Sequence, residues 1–421
     1  MDSPGCYCTK PGSASPTACL IYALSVNVGA HSLNFPAHFG CPGSIGRAFG
    51  PGPAAGTLIA VKVFHCGHCG QVIYFENTQC VRCGQRLAYV AELGAMQSLA
   101  SLAGDTWLPA GTDRPYRLCR NYIERNVCNW AVPADDPNWL CRSCRLTRTI
   151  PDLNVPGNLE AWYRLEQAKR RVVFGLMSLK LPVASGFEDP ERGLLFDFMS
   201  PREPTHDDSP VRTGHKSGVV TVDLDEADDA VRERVRLQLG EPYRTLVGHF
   251  RHEIGHYFWD RLILGTWRLD QFRALFGNED LDYPQALDRY YANGPAADWM
   301  EHGVSAYACA HPWEDWAETW AHYLHMMDGL ETASECGLLV QPRRSDEPSL
   351  MFASPLFGPA AEFDRLVEQW FSVTYVLNNL NRAMGHQDAY PFVLSAQATR
   401  KLRFVHESIL AWSSQGADQF A

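Results

Sequence analysis

The sequence predicts an α+β protein in which small cysteine-rich modules precede a larger domain with a small sheet and a mainly helical second half. Three observations carry that reading. Eight of the 14 cysteines fall into two spaced groups between Cys66 and Cys144. Residues 193–200 and 218–229 alternate apolar and polar side chains and are rich in β-branched residues, as half-buried strands are. Long apolar periods of helical spacing then run through 158–182, 241–263, 311–330, 360–384 and 395–412. With 421 residues, 46% hydrophobic and 20% charged, the chain is long enough for two or three domains.

Taken in order, residues 1–60 hold nine Gly, seven Pro and only three charges. That composition predicts a disordered or non-native extension, with translation beginning near Val61 or Val63. The stretch "CLIYALSV" lacks a basic flank and a cleavage site, and it falls far short of a membrane span of about 20 residues. Grouped cysteines without a secretion signal read as metal thiolates in a reducing compartment, which predicts a cytoplasmic protein without a membrane partner. Net charge is −11 and uneven: residues 61–150 carry 10 Lys/Arg against 7 Asp/Glu, whereas 151–421 carry 25 against 40. The larger part repels nucleic acid, and only the cysteine-rich part tolerates it.

Residues 61–92 read as a first zinc ribbon. Cys66-x2-Cys69 and Cys80-x2-Cys83 form two knuckles, each followed by Gly, that aim four thiolates at one point. Without an ion, so short a segment would have no core to fold around. His68, inside the first knuckle, is a redundant competitor. Residues 93–150 read as a second ribbon-like module with Cys119, Cys128, Cys141 and Cys144, of which only the last two form a standard knuckle. Both modules suggest a platform for a protein partner.

Residues 151–421 read as the catalytic domain. "HFRHEIGHYFWD" contains HExxH as His252, Glu253 and His256. One helical turn apart, the two imidazoles reach a single ion. Glu253 is rotated about 100° away. There it is no natural third ligand from that face, but it is placed to take a proton from water that zinc activates. Five such residues also occur by chance on buried helices, so a third ligand is needed. In "EDWAE", Glu314 and Glu318 share a helical face, and acids on so aromatic a helix need a reason to be there. The spacing resembles that of gluzincin peptidases. The resemblance implies Glu314 as zinc ligand and Glu318 as the acid that supports a ligating histidine from behind. Asp315 and Glu318 rank behind Glu314 as third ligand. Asp260 and His249 lie along the same helix and reach past the ion, and His311, His322 and His325 suit packing or substrate contact. Tyr307 is the candidate donor to a developing oxyanion. Its spacing to Glu314 resembles that of lethal-factor-type gluzincins, though a packing role fits as well, and His302 is a weaker candidate.

The stretches "CGHCGQVIYFENTQCVRCG", "CNWAVPADDPNWLCRSCRLTRTIPDL", "GEPYRTLVGHFRHEIGHYFWDRLI", "SAYACAHPWEDWAETWAHYLH" and "PFVLS" together resemble the bacterial zinc-binding metallopeptidases that carry an N-terminal zinc ribbon. The resemblance covers the chain from about residue 63 onward. It implies a zincin-like fold behind ribbon modules, one catalytic and two structural Zn2+, and hydrolysis of peptide bonds in a peptide or protein substrate. Two other readings stand beside it. One is a non-enzymatic adaptor with a structural zincin shell, and the other is an isopeptide or other amide hydrolase.

Overall fold

The computed structural model describes residues 63–415, except 202–210, 212, 240–244, 345–348 and 357–361. The expectation for residues 1–60 lies outside the described residues. Those that are described belong to one compact unit. No helix among them is long and apolar enough to cross a membrane.

The short strands β1 (Phe64–His65) and β2 (Val72–Ile73) pair antiparallel around the first knuckle. β3 (Arg86–Val90), β4 (Ala95–Ser101), β5 (Thr106–Pro109), β6 (Tyr116–Leu118) and β7 (Ala131–Pro133) then form one antiparallel sheet in sequential order, with a single-turn helix α1 (Arg120–Ile123) before the last strand. A bridge from Tyr89 to Trp130 folds the first strand back against the last. Their rings meet at 4.4 Å and bury with Phe75. A 3-10 turn, Ala91–Leu93, links β3 to β4 within this sheet, so the sheet takes strands from both sides of residues 92 and 93.

The cysteine-rich part is joined to the helical part of the chain through a shared sheet. β8 (Thr147–Thr149) joins the second sheet, of order β10–β11–β9–β8. β9 (Leu195–Met199) pairs parallel with β8 and with β11 (Val219–Asp223), and β10 (Gly214–Lys216) forms the antiparallel edge. Ser217 and Gly218, both with positive φ, make the two-residue turn between β10 and β11. The strand expected over 218–229 stops at Asp223, whose carboxylate accepts the Asp225 N–H and starts a 3-10 turn.

Ten helices are present among the described residues, and four of them build the frame. α2 (Asn158–Ser178) covers the sheet and sends Phe174 into the Phe75–Tyr89 cluster. α3 (Asp229–Leu239) follows the sheet. α4 (Leu246–Leu262) starts where Thr245 Oγ1 caps the Gly248 N–H at 3.0 Å. It is buried at every position from Phe250 to Trp259, between α2, the sheet and α8 (Pro312–Glu335). Phe250 meets Phe196 and Phe198 of β9 at 5.8 and 6.2 Å. α5 (Leu269–Phe276), α6 (Tyr283–Asn293) and α7 (Trp299–His302) form the segment between α4 and α8. A small hairpin of β12 (Leu339–Val340) and β13 (Leu350–Met351) precedes α9 (Phe363–Ala383) and α10 (Ala396–Gln415). A small sheet with a mainly helical second half, behind cysteine-rich modules, is the α+β arrangement that the sequence predicts.

α4 and α8 cross closely because of one residue. A Cβ at Gly255 would lie 2.9 Å from Ala317 Cα and 3.2 Å from the Trp320 ring. The Gly255 carbonyl also accepts the Trp316 indole N–H at 2.8 Å. This crossing brings the two chemically active stretches of the sequence face to face.

Candidate active site and metal centres

The first quartet is built by two matching knuckles. Cys66 O accepts from Gly70 N and Cys80 O from Gly84 N, at 2.8 and 2.9 Å, with both glycines left-handed. Only a residue without Cβ adopts that turn freely. The Cys66–Cys83 and Cys69–Cys80 sulfurs lie 3.7 Å apart. That is far beyond a disulfide, about 2.05 Å. It matches the edge of a tetrahedron whose corners sit ~2.3 Å from a central zinc, about 3.8 Å. Cys128 and Cys141 of the second quartet are also 3.7 Å apart, and all four of its cysteines are buried. Both donor sets fit zinc. Arg170, reaching in from α2, donates to the Val127 carbonyl beside the second quartet. Burial pushes its guanidinium down, but Cys128, Glu166 and the other thiols outweigh that and hold it up.

At the α4–α8 crossing, His252, His256 and Glu314 each present a ligand atom within 4.8 Å of the others. His252 Nε2 is 2.9 Å from Glu314 Oε2, and His256 Nε2 is 3.5 Å from Glu314 Oε1. Tetrahedral ligands at ~2.05 Å from zinc would be about 3.3 Å apart, so this set fits as well. Glu318, one turn along α8, takes His252 Nδ1 at 2.7 Å and accepts from Ser305 Oγ at 2.5 Å. Burial pushes the Glu318 carboxyl up, but His252 outweighs it and brings it down to about 2. An ionised Glu318 fixes the proton of His252 on Nδ1 and leaves Nε2 free for a metal.

Glu253 is not in this ligand group but lies close to both imidazoles. Its Oε1 lies 3.3 Å from His249 Nε2, whose Nδ1 is 3.3 Å from Glu226. Burial raises the Glu253 carboxyl, yet His249 and the nearby imidazoles prevail and hold it below the ordinary range. Tyr307 packs its ring 6.0 Å from that of His252. Burial first, and Glu314 second, push its hydroxyl far up, so it remains a donor.

Rival residues have other partners. Asp315 is 2.5 Å from Lys401 in a buried pair. His311 caps α8, accepting from Trp313 N at 3.1 Å and reaching the Leu281 carbonyl with its other nitrogen. His322 meets the Tyr390 hydroxyl at 2.8 Å, and His325 meets Arg251 at 2.6 Å. His302 is 3.2 Å from Asp298. Asp260 is absent from the ligand group, and burial raises its carboxyl.

Three residues of the site escaped the sequence reading. Tyr283 donates to Glu314 Oε1 at 2.5 Å, Ser305 holds Glu318, and His215 of the edge strand lies 6.4 Å from the His256 ring. Each comes from a different element and shares no spacing with the histidine motif. The only sequence signal was that Ser305 opens the conspicuous "SAYACAHPWEDW" run. Trp313, two residues into α8, packs its ring against His256, tilted by 39° with centroids 3.9 Å apart.

Comparison with known proteins agrees with this geometry. A family model described as "Putative zinc-binding metallo-peptidase" matches residues 158–408, and a zinc-ribbon domain model matches 63–155. Uncharacterized proteins of Mycobacterium bovis and Mycobacterium tuberculosis are 45% identical over 348 residues, covering 82% of this chain and 94% of theirs. No solved structure matches significantly. The chain belongs to this zinc-binding metallopeptidase family, with a zinc-ribbon domain in front.

Proposed function

We propose that the chain hydrolyses peptide bonds, with a catalytic zinc held by His252, His256 and Glu314 and with Glu253 as general base. One observation carries the reading: Glu318 and Glu314 engage opposite nitrogens of His252, while Glu253, next in sequence, stays outside the ligand group, close to both ligand imidazoles and held by His249. That separation of roles serves catalysis and has no use in a structural shell. Zinc with three protein ligands and an open position supplies a Lewis acid that polarises the scissile carbonyl.

Glu253 accepts the proton of the attacking water on a carboxylate oxygen and passes it to the leaving amine. His249 keeps that carboxylate ionised and oriented. Tyr307, its hydroxyl pushed up by burial and by Glu314, supplies a neutral donor for the developing oxyanion, while Tyr283 spends its own proton on orienting Glu314. The substrate is a peptide or protein, and the ribbon domain, with its two structural zincs, serves as the platform for a protein partner.

The test compares wild type with Glu253→Gln by profiling cleavage products across a proteome. Both proteins are expected to hold close to three zinc ions per chain, because Glu253 is no ligand. The variant is expected to lose about 10²–10⁴-fold in rate, the usual contribution of general-base assistance. Equal cleavage by both would defeat the mechanism and leave the adaptor reading. Cleavage confined to isopeptide bonds would change the substrate class alone.

A further inference from the structure

Beside α4 lies a pocket of about 510 Å³, walled by Tyr257, Trp412 and the 182–184 stretch. Its volume falls in the range of small-molecule sites, about 300–1,000 Å³. Its charge runs against its surroundings. Residues 151–421 carry a large acidic excess, yet Lys180, Arg192 and Arg261 from that part line this pocket beside Arg142 and Arg145 of the basic part, against only Glu188 and Asp189.

Most of that positive charge is uncommitted. Arg145 is engaged by Asp136 at 2.5 Å and by Glu188 at 3.5 Å. Asp189 accepts the backbone N–H of Arg192. Arg142 reaches only Glu92, at 3.8 Å. Among the described residues, Lys180, Arg192 and Arg261 form no ion pair within 4 Å, although Arg261 lies 6.0 Å over the Trp412 ring and is near the Asp260 carboxylate. The Nε of Arg261 is buried without a hydrogen-bond partner, an arrangement that costs free energy unless something else satisfies it.

Lys180 adds an independent sign. α2 ends in a Schellman motif, with Leu181 N bonded to Leu176 O and Lys180 N to Met177 O, both at 3.0 Å. The left-handed position of that motif normally belongs to glycine, but here Lys180 occupies it at φ 56°. A side chain kept where the backbone disfavours it, at the rim of a cationic pocket, points to a use for that side chain.

We propose that this pocket binds a small phosphate-class oxyanion, gripped by Lys180, Arg192 and Arg261 where the ribbon domain, α4 and α10 meet. Guanidinium forks match the geometry of such an anion, and the three cations come from separate parts of the fold, so only the folded chain assembles them.

The test is calorimetric titration of the zinc-loaded full chain with inorganic phosphate, against succinate and against chloride at equal ionic strength. Saturable binding of phosphate is expected, with a rise in Tm, and chloride should give neither. Lys180→Gly separates binding from folding. Relief of the left-handed strain should raise the Tm of the free protein, while phosphate affinity falls at least 10-fold. Arg261→Gln should lose affinity to a similar degree with its zinc content unchanged. Phosphate binding that survives both substitutions, or no binding beyond the chloride control, would overturn the proposal. Succinate binding in place of phosphate would overturn the ligand class.

Discussion

Both carboxylate oxygens of Glu318 are committed, one to His252 Nδ1 and the other to Ser305. Removing the side chain frees the His252 ring to rotate and to change tautomer. Glu318→Ala should therefore weaken the catalytic zinc by roughly 10–100-fold and leave both quartets loaded, as competition with a graded chelator would show. Loss of zinc from all three sites together would mean that Glu318 holds the fold instead. A second residue-scale prediction concerns pH. Burial pushes His322 down to about 4, from 6.5, and Glu318 offsets this only in part. The folded state thus keeps it neutral where the unfolded chain takes up a proton. Its contribution to stability is present above pH 6.5 and is lost as pH falls toward 4, on the order of 3 kcal/mol at most. His322→Gln should flatten the decline of Tm across that window, and an unchanged slope would show that other groups carry it. At this scale the histidine motif was legible because three roles sit within five residues on one helix. Tyr283, Ser305 and His215 were not, since only tertiary contact joins them to it.

The crossing of α4 and α8 rests on the missing side chain at Gly255. Alanine there must displace the Ala317 backbone, which is not a flexible group. Gly255→Ala should cost about 1–3 kcal/mol, as overpacking usually does. It should also loosen zinc at the catalytic site, because His252 and His256 sit on one helix and Glu314 on the other. Denaturant unfolding with zinc analysis checks both effects, and an unchanged midpoint would refute the close-approach argument. The helices themselves were readable from their apolar period, with ends displaced by a few residues where Thr245 and His311 cap them. The strands were less so. β3–β7 run three to seven residues each, too short for alternation to stand out among the turns. β10 was hidden in a polar loop because an edge strand shows one face to solvent.

At the level of the whole molecule, sequence composition separated a cysteine-rich part from a helical part, and the structure joins them by backbone pairing. Nothing in the local sequence announces that Thr147–Thr149 will pair with Leu195–Met199, since parallel partners can lie far apart along the chain. Arg170 and Phe174 of α2 reinforce the junction from the other side. The position of β8 has a practical consequence for anyone dividing this protein. A fragment starting at residue 151 would contain every residue of the proposed active site, yet it would strip β9 of a neighbour. The segment Leu195-Phe-Asp-Phe-Met199 would then be an open, aromatic sheet edge, a ready template for self-association. Such a fragment is expected to aggregate in light scattering, whereas one beginning at residue 63 stays monodisperse. By this expectation the zinc-ribbon part shields the larger domain from self-association by backbone pairing alone, at every moment of the protein's life.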